Sequence, residues 1–275
     1  MSSNWTWPTA AFEAVTLDHE ADGVADRQNR IAGFSTSLLA SARILLIGAG
    51  GLGSAIATGL ARKGVGALHL VDADVVEVSN LNRQHFFEAD LYQPKALRLA
   101  HNAARQGFLG TKCIGHHVGF RPDTAEALSA GIDVAVVGVD NNLTRAVTSP
   151  FFRRRRVPVI FTAVNERADF GWVFVQEAEG ACVACVFPRM AQADALKQSC
   201  TPSPAALDIL LVVGGITLYA IDTLLMSRPR QWNYHAISLV GDGASCVDRV
   251  PPKLTCPLCG SGRPDAAAMP GKSRS

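Results

Sequence analysis

Between residues 43 and 72 the chain reads as an apolar run, Arg43-Ile-Leu-Leu-Ile-Gly48, then Gly48-Ala-Gly-Gly-Leu-Gly53, then an alanine-rich stretch through Arg62, then a second apolar run at 67–71. A short apolar run closed by glycines reads as a buried strand that turns tightly into a helix. Strand, helix and strand in that order make a βαβ unit, which implies a parallel sheet with helices on its faces. Glycines at such a junction let backbone approach a phosphate, and the first N–H groups of the helix face it. The second run ends in Asp72 and Asp74, and Asp72 stands where an acidic residue takes ribose hydroxyls. To this point a nicotinamide or flavin enzyme fits equally well.

The remaining pattern extends the same architecture. Residues 75–92 are a long polar connection, and 93–107 and 142–155 read as helices. Strand patterns recur at 113–118, 132–138, 157–163 and 171–176. The expectation is one large α/β domain over 27–260, with a Rossmann-like, mostly parallel sheet and helices on both faces. Residues 1–26 show weak periodicity and read as an extension laid on the surface, and 261–275 read as a disordered tail. A formal charge of +2 does not mark a nucleic-acid binder. The start of the chain lacks a basic region followed by an apolar run, so a cytoplasmic protein is expected. Residues 207–226 are long enough to span a bilayer, but Asp208 and Asp222 lie near the two ends and Gly214 and Gly215 break the middle. The segment is read as a buried helix against a sheet or a second subunit, with no membrane partner.

Beyond the glycine loop come Asp72-Ala-Asp-Val-Val-Glu-Val-Ser-Asn-Leu-Asn-Arg-Gln84, Pro94-Lys95 and Gly138-Val-Asp-Asn141, in that order. Arg83 and Lys95 are cations suited to a triphosphate, and Asn80 and Gln84 add neutral hydrogen bonds. The ordered set resembles the ThiF/MoeB/HesA family of ubiquitin-activating-type adenylyltransferases, over roughly residues 27–260. The resemblance implies ATP and Mg²⁺ as cofactors, and antiparallel strands that extend the sheet. It implies that the glycines Gly48, Gly50 and Gly51 and the side chains of Asp72, Asp74 and Ser79 hold the nucleotide. By the same token Asn80, Arg83 and Lys95 contact phosphates with Gln84 in support, Asp140 helps to hold Mg²⁺, and Asn141 borders the adenosine. Arg27-Gln-Asn-Arg-Ile31 is similar to the family's N-terminal arginine motif, which implies that Arg30 reaches the ATP of a neighbouring subunit in a homodimer.

The implied reaction is adenylation of the C-terminal glycine carboxylate of a ubiquitin-like protein, with release of pyrophosphate. A sulfur carrier or an RNA-borne carboxylate is the alternative substrate, and a conjugating enzyme a possible partner. An NAD-dependent oxidoreductase would explain Gly48 to Asp72 but leave the block from Ser79 to Gln84 idle. A non-catalytic partner subunit would not need Arg83, Lys95 and Asp140 together.

Cysteines supply the other chemistry. Cys182-Val-Ala-Cys185 and Cys256-Pro-Leu-Cys259 are two CxxC hooks, which together complete a tetrahedral, structural zinc site. Cys200 lies in Lys-Gln-Ser-Cys-Thr-Pro before the long apolar helix, where some family members form a thioester or persulfide and others carry a spectator thiol; both readings stay open. Cys113 and Cys246 stand in strand-like contexts and read as packing residues. Arg153-Arg-Arg-Arg156 reads as a cationic helix end, with a docking patch for an acidic partner still open.

Overall fold

The computed structural model describes residues 7–17, 23–191 and 205–260. Its elements in chain order are β1 (Thr9–Glu13), α1 (Asp26–Asn29), α2 (Thr36–Ser41), β2 (Arg43–Ile47), α3 (Gly51–Lys63), β3 (Ala67–Asp72), α4 (Lys95–Gln106), β4 (Lys112–His117), α5 (Ala125–Leu128), β5 (Val134–Val137), α6 (Asn142–Arg154), β6 (Val159–Val164), β7 (Phe170–Gln176), α7 (Val183–Val186), α8 (Leu207–Leu225), β8 (Tyr234–Ser238) and β9 (Cys246–Asp248). The strands form one sheet in the order β1-β4-β3-β2-β5-β6-β7-β8-β9. From β4 through β6 the pairing is parallel, and β1, β7, β8 and β9 are antiparallel additions.

The run Ile44-Leu-Leu-Ile47 explains the central strand, because both of its faces are covered. Ile44 and Leu46 pack in the core beneath α3, α4 and α8, whereas Leu45 and Ile47 pack in the core beneath α5, α6 and α7. A continuous apolar strand is what a doubly covered parallel sheet requires. Helix α3 stops at Gly64, whose φ of +83° lets its N–H reach the carbonyls of Leu60 and Ala61.

The apolar segment forms the single uninterrupted helix α8, and it lies along α3 in register. An added Cβ at Gly51 would sit 2.5 Å from Leu210 Cδ1, one at Gly59 would strike Leu218, and one at Gly214 would sit 3.1 Å from Ala55 Cβ. The pairs 51/210, 55/214, 59/218 and 63/222 step by four residues on both helices, which is one helical face against another. Lys63 Nζ closes the series with bonds of 2.6 and 2.5 Å to the carboxylate of Asp222. The helix is long and apolar enough to cross a membrane, and half of its apolar window is buried. Its outer stripe, Leu207, Leu211 and Tyr219, is exposed.

Three expectations are amended. The N-terminal segment is not only a surface extension, since Thr9–Glu13 pairs with β4 as an edge strand. β8 and β9 carry no strong apolar run and were not anticipated as separate strands. Cys113 is buried as expected, but Cys246 is exposed on the edge strand and is no core residue. Residues 192–204, including Cys200, and the segment 261–275 lie outside the described residues.

Candidate functional site

Helices α3 and α4 cover one face of the sheet, and α5 and α6 the other. The winding therefore reverses between the adjacent strands β2 and β5, and a crevice opens at their carboxyl ends. Gly48 follows β2 with φ +103°, and an added Cβ there would lie 2.9 Å from the carbonyl oxygen of Gly138, which follows β5. The two loops meet at the switch point because neither has a side chain in the way.

The glycines divide by task. Gly51 makes room for Leu210 of α8, whereas an added Cβ at Gly50 would meet nothing within 4 Å. Gly50 is the N-cap of α3 and supplies no side-chain cap. The first N–H groups of a 13-residue helix are thus left without a side-chain acceptor at the crevice.

Asp72 ties this loop to the next strand. Its Oδ2 accepts from Ala49 N at 2.7 Å and its Oδ1 from Asp74 N at 2.8 Å. Burial pushes its carboxyl above the usual range, against the two backbone donors that favour the charged form. Asp74 in turn accepts from Lys95, by the backbone N–H at 2.9 Å and by Nζ at 3.2 Å. Lys95 opens α4, with its side chain 12% exposed and its partner Asp74 71% exposed. Loop, acid pair and lysine form one connected group.

The block from Ser79 to Gln84 folds as a turn on its own. Asn80 is buried, and its Oδ1 accepts from Glu77 N at 3.0 Å while its Nδ2 donates weakly to Ser79 Oγ at 3.4 Å. Arg83 Nη1 donates to the carbonyl of Ser79 at 2.5 Å and to Asn82 Oδ1 at 3.0 Å. Among the described residues no carboxylate lies within ion-pair distance of Arg83. Gln84 is buried and its Oε1 has no partner. Such an orphan acceptor is costly unless a ligand or water completes it. The donor-rich loop, an arginine without a carboxylate partner and this acceptor fit a nucleotide.

At the second loop Asp140 is exposed, and Asn141 caps α6 by accepting from Thr144 N at 2.8 Å. Sequence reasoning missed Arg145. This side chain is buried, donates from Nη2 to Val139 O at 2.6 Å and lies 5.5 Å from the ring of Trp172. Burial lowers its pKa to about 10, against the pull of Asp140. A cation in the first turn of a helix opposes the helix dipole, and that misfit was the available signal. Arg30 sits apart on the surface, donating to Asp26 Oδ1 from Nε at 3.1 Å and Nη2 at 3.0 Å. The run at 153–156 is a helix end with internal partners: Arg153 on Gly180 O, Arg155 on Glu126 and Arg156 on Glu179.

The four hook cysteines do converge. Their sulfurs all lie within 4.8 Å of one another, with Cys182–Cys256 and Cys185–Cys259 both at 3.4 Å and Cys182–Cys185 at 3.9 Å. A tetrahedral zinc with Zn–S of about 2.3 Å needs sulfurs about 3.8 Å apart, so this donor set fits zinc. Lys253 N donates to Cys185 Sγ at 3.4 Å. Burial opposes ionisation of Cys185, yet that N–H and the neighbouring donors hold its thiol at about 7. Gln176, also unanticipated, anchors the first hook: its Oε1 accepts from Val183 N at 3.2 Å and from Ser149 Oγ at 2.6 Å.

Comparison with known proteins agrees with this geometry. The family model described as "ThiF family" matches residues 26–247. The "SAMP-activating enzyme E1" of Haloferax volcanii is 30% identical over 266 residues, covering 94% of each chain. "Adenylyltransferase and sulfurtransferase uba4" of Pyricularia oryzae is 29% identical over 261 residues, covering 84% of this chain and 48% of the relative. This chain thus spans about half the length of that relative. Among solved structures, E. coli MccB with AMPCPP and MccA superposes with a TM-score of 0.69 at 17% identity, over 90% of this chain and 77% of that one. Given the matched span, the chain belongs to the ThiF family.

Proposed function

We propose that this protein uses ATP to adenylate the C-terminal carboxylate of a small carrier protein of the ubiquitin-like or sulfur-carrier type. The observation that carries the reading is the hydrogen-bonded group Ala49–Asp72–Asp74–Lys95 beside the uncapped N-terminus of α3. The names of the relatives, an adenylyltransferase and an activating enzyme, support it.

The chemistry follows from charge. A carboxylate is a poor electrophile, and its attack on the α-phosphorus forms a P–O bond while the bond to pyrophosphate breaks. Catalysis is then alignment and charge stabilisation. The N–H groups of α3, with Lys95 and Arg83, hold the phosphates, and Asp72 takes the ribose hydroxyls. Asp140 holds Mg²⁺, which neutralises phosphate oxygens when bound. The Cys₄ set holds zinc as a structural pin between α7 and the chain after β9. Thioester formation at Cys200 with release of AMP is the proposed following step. Arg30 exchanging Asp26 for a neighbour's ATP, across a homodimer that covers the apolar stripe of α8, completes the reading in a reducing, cytoplasmic setting.

ATP–pyrophosphate exchange tests the first step. Carrier-dependent exchange with ubiquitin-like or sulfur-carrier proteins is expected for the natural chain and is lost in Asp140→Ala. Absence of exchange with every such carrier would falsify the substrate class. A reductant-sensitive carrier adduct that survives Cys200→Ala rules out the thioester there.

A further inference from the structure

We infer that the cleft at the C-terminal end of α8 binds a small anion bearing one or two phosphoryl groups, at a site separate from the glycine-loop crevice and independent of the adenylation reading. The cleft encloses about 290 Å³ and is lined by Glu177, Thr223, Ser227, Arg228, Arg230 and Arg249, with Leu224. Its position follows from the helix register. Leu210 sits beside Gly51 at the crevice, and the cleft begins at Thr223, so the two sites are roughly 20 Å apart along α8.

Three arginines line the cleft, and their surroundings differ. Arg230 is the fixed floor, with its side chain 4% exposed. It donates from Nε to Trp232 O at 2.6 Å, from Nη1 to Thr223 Oγ1 at 2.9 Å and from Nη2 to Glu177 Oε1 at 2.5 Å. Arg249 is drawn to the same place, because its Nη2 donates to Arg230 O at 2.8 Å. Arg228 lies against Gly33, with its guanidinium 5.9 Å from the ring of Tyr219. Among the described residues, neither Arg228 nor Arg249 has a carboxylate within ion-pair distance. Asp222, the nearest other acid on α8, is ion-paired with Lys63 and also feels Arg228, so the Lys63–Asp222 pair enters the charge count as neutral.

A charge count decides between a helix cap and a ligand site. Cations at a helix C-terminus answer a partial charge of about −0.5. Adding Glu177 gives about −1.5 against three positive charges, so more than one positive charge stays unmatched. Burial lowers the pKa of Arg230, Glu177 raises it, and the nearness of Arg249 lowers it again, so the two cations feel each other. Solvated surface arginines are free to spread apart, whereas side-chain bonds to the carbonyls of Trp232 and Arg230 fix Arg230 and Arg249 at the cleft. A multivalent oxyanion relieves that repulsion, and the planar guanidinium fork matches phosphate oxygens. A single carboxylate would match only part of the excess charge.

The test is calorimetric titration of inorganic phosphate, and separately of pyrophosphate, into the full chain, with binding at the cleft read as the difference between the natural chain and its arginine variants. One equivalent is expected to bind. Arg228→Gln and Arg249→Gln are each expected to weaken it about tenfold, as loss of a charge-assisted bond does, and the double variant to abolish it. Arg249 is exposed, so its variant folds, and Arg249→Lys is expected to retain part of the affinity. Unchanged affinity in the double variant overturns the site. A crystal of the natural chain soaked in tungstate gives a second reading that needs no variant. Anomalous density between the three arginines supports the site, and density confined to the glycine loop overturns it.

Discussion

At the cysteine centre four side chains from two distant hooks aim at one point, with all four sulfurs within 4.8 Å of one another. At the glycine-loop crevice the side chains that matter are held by their own neighbours: Lys95 by Asp74, Arg83 by Ser79, Asn141 by Thr144. On the proposed reading the first arrangement would commit its ligand-binding energy to folding, because the donors are gathered only in the folded chain. The second keeps a rigid backbone and holds its charges on partners that a triphosphate can displace. One region is therefore expected to fail by unfolding and the other by losing chemistry.

The largest effect is expected at the cysteines. Cys256→Ser, or removal of zinc by a chelator, should take bound zinc from one per chain to none and cost several kcal/mol, about 10 °C or more in Tm. Metal analysis beside a thermal melt checks this, and a Tm within a degree or two of the natural chain would count against a structural zinc. Lys95→Ala should do the reverse. Loss of one positioned cation lowers pyrophosphate exchange by about 10²- to 10³-fold, while the melt stays nearly where it was. A variant that unfolds instead would make Lys95 part of the scaffold.

Gly51→Ala probes the boundary between the two behaviours. Its added Cβ meets Leu210 Cδ1 at 2.5 Å, so overpacking between α3 and α8 should cost about 1–3 kcal/mol. Leu210→Ala in the same chain should recover part of that loss. No recovery would assign Gly51 to the ligand and not to the helix seam.

A third polar cluster is buried, as most of the hook cysteines are. His69 and His116 share a 3.1 Å hydrogen bond, and Trp7 Nε1 lies 3.3 Å from His116 Nδ1. Burial first, then Arg43 and Lys112, lower His69 to about 4, and burial with His69 lowers His116 to about 3. The unfolded chain therefore takes up protons below about pH 6.5 that the folded chain refuses. Stability is complete above that pH and falls toward pH 4, by about 2 kcal/mol at pH 5 for the His69 shift alone. Melts at pH 7 and pH 5 should show the loss, and His69→Gln should flatten it.

What could be read from residues follows the same divide. The parallel core of the sheet and the cysteine centre were legible, because apolar runs and CxxC spacing are local signals. Asp72, Asp74 and Lys95 were placed by motif order, and they meet. Gln176 was missed because its partners come from α6 and α7, and Arg145 because its bond to Val139 O and its place beside Trp172 appear only in the folded chain. Cys246 misled because a three-residue edge strand has the composition of a core strand without its cover. The register of α3 on α8 was hidden for the same reason: glycines at 51 and 59 look alike whether they face a phosphate or a leucine.

Asn141 joins both kinds of role at the smallest scale. Its Oδ1 caps α6 through Thr144 N, and a lost cap costs about 1 kcal/mol. Asn141→Ala should lower stability by that amount, and Asn141→Ser, which caps as well, should restore it. The same pair separates the proposed contact with adenosine from the cap. If only the cap matters, the serine variant regains both its melt and its KM for ATP. If the side chain also borders the base, the melt returns while KM stays raised, because serine lacks the amide that reaches past the first turn. Crevice residues held by local partners should split in this way, and the cysteines, where folding and ligand binding are one event, should not.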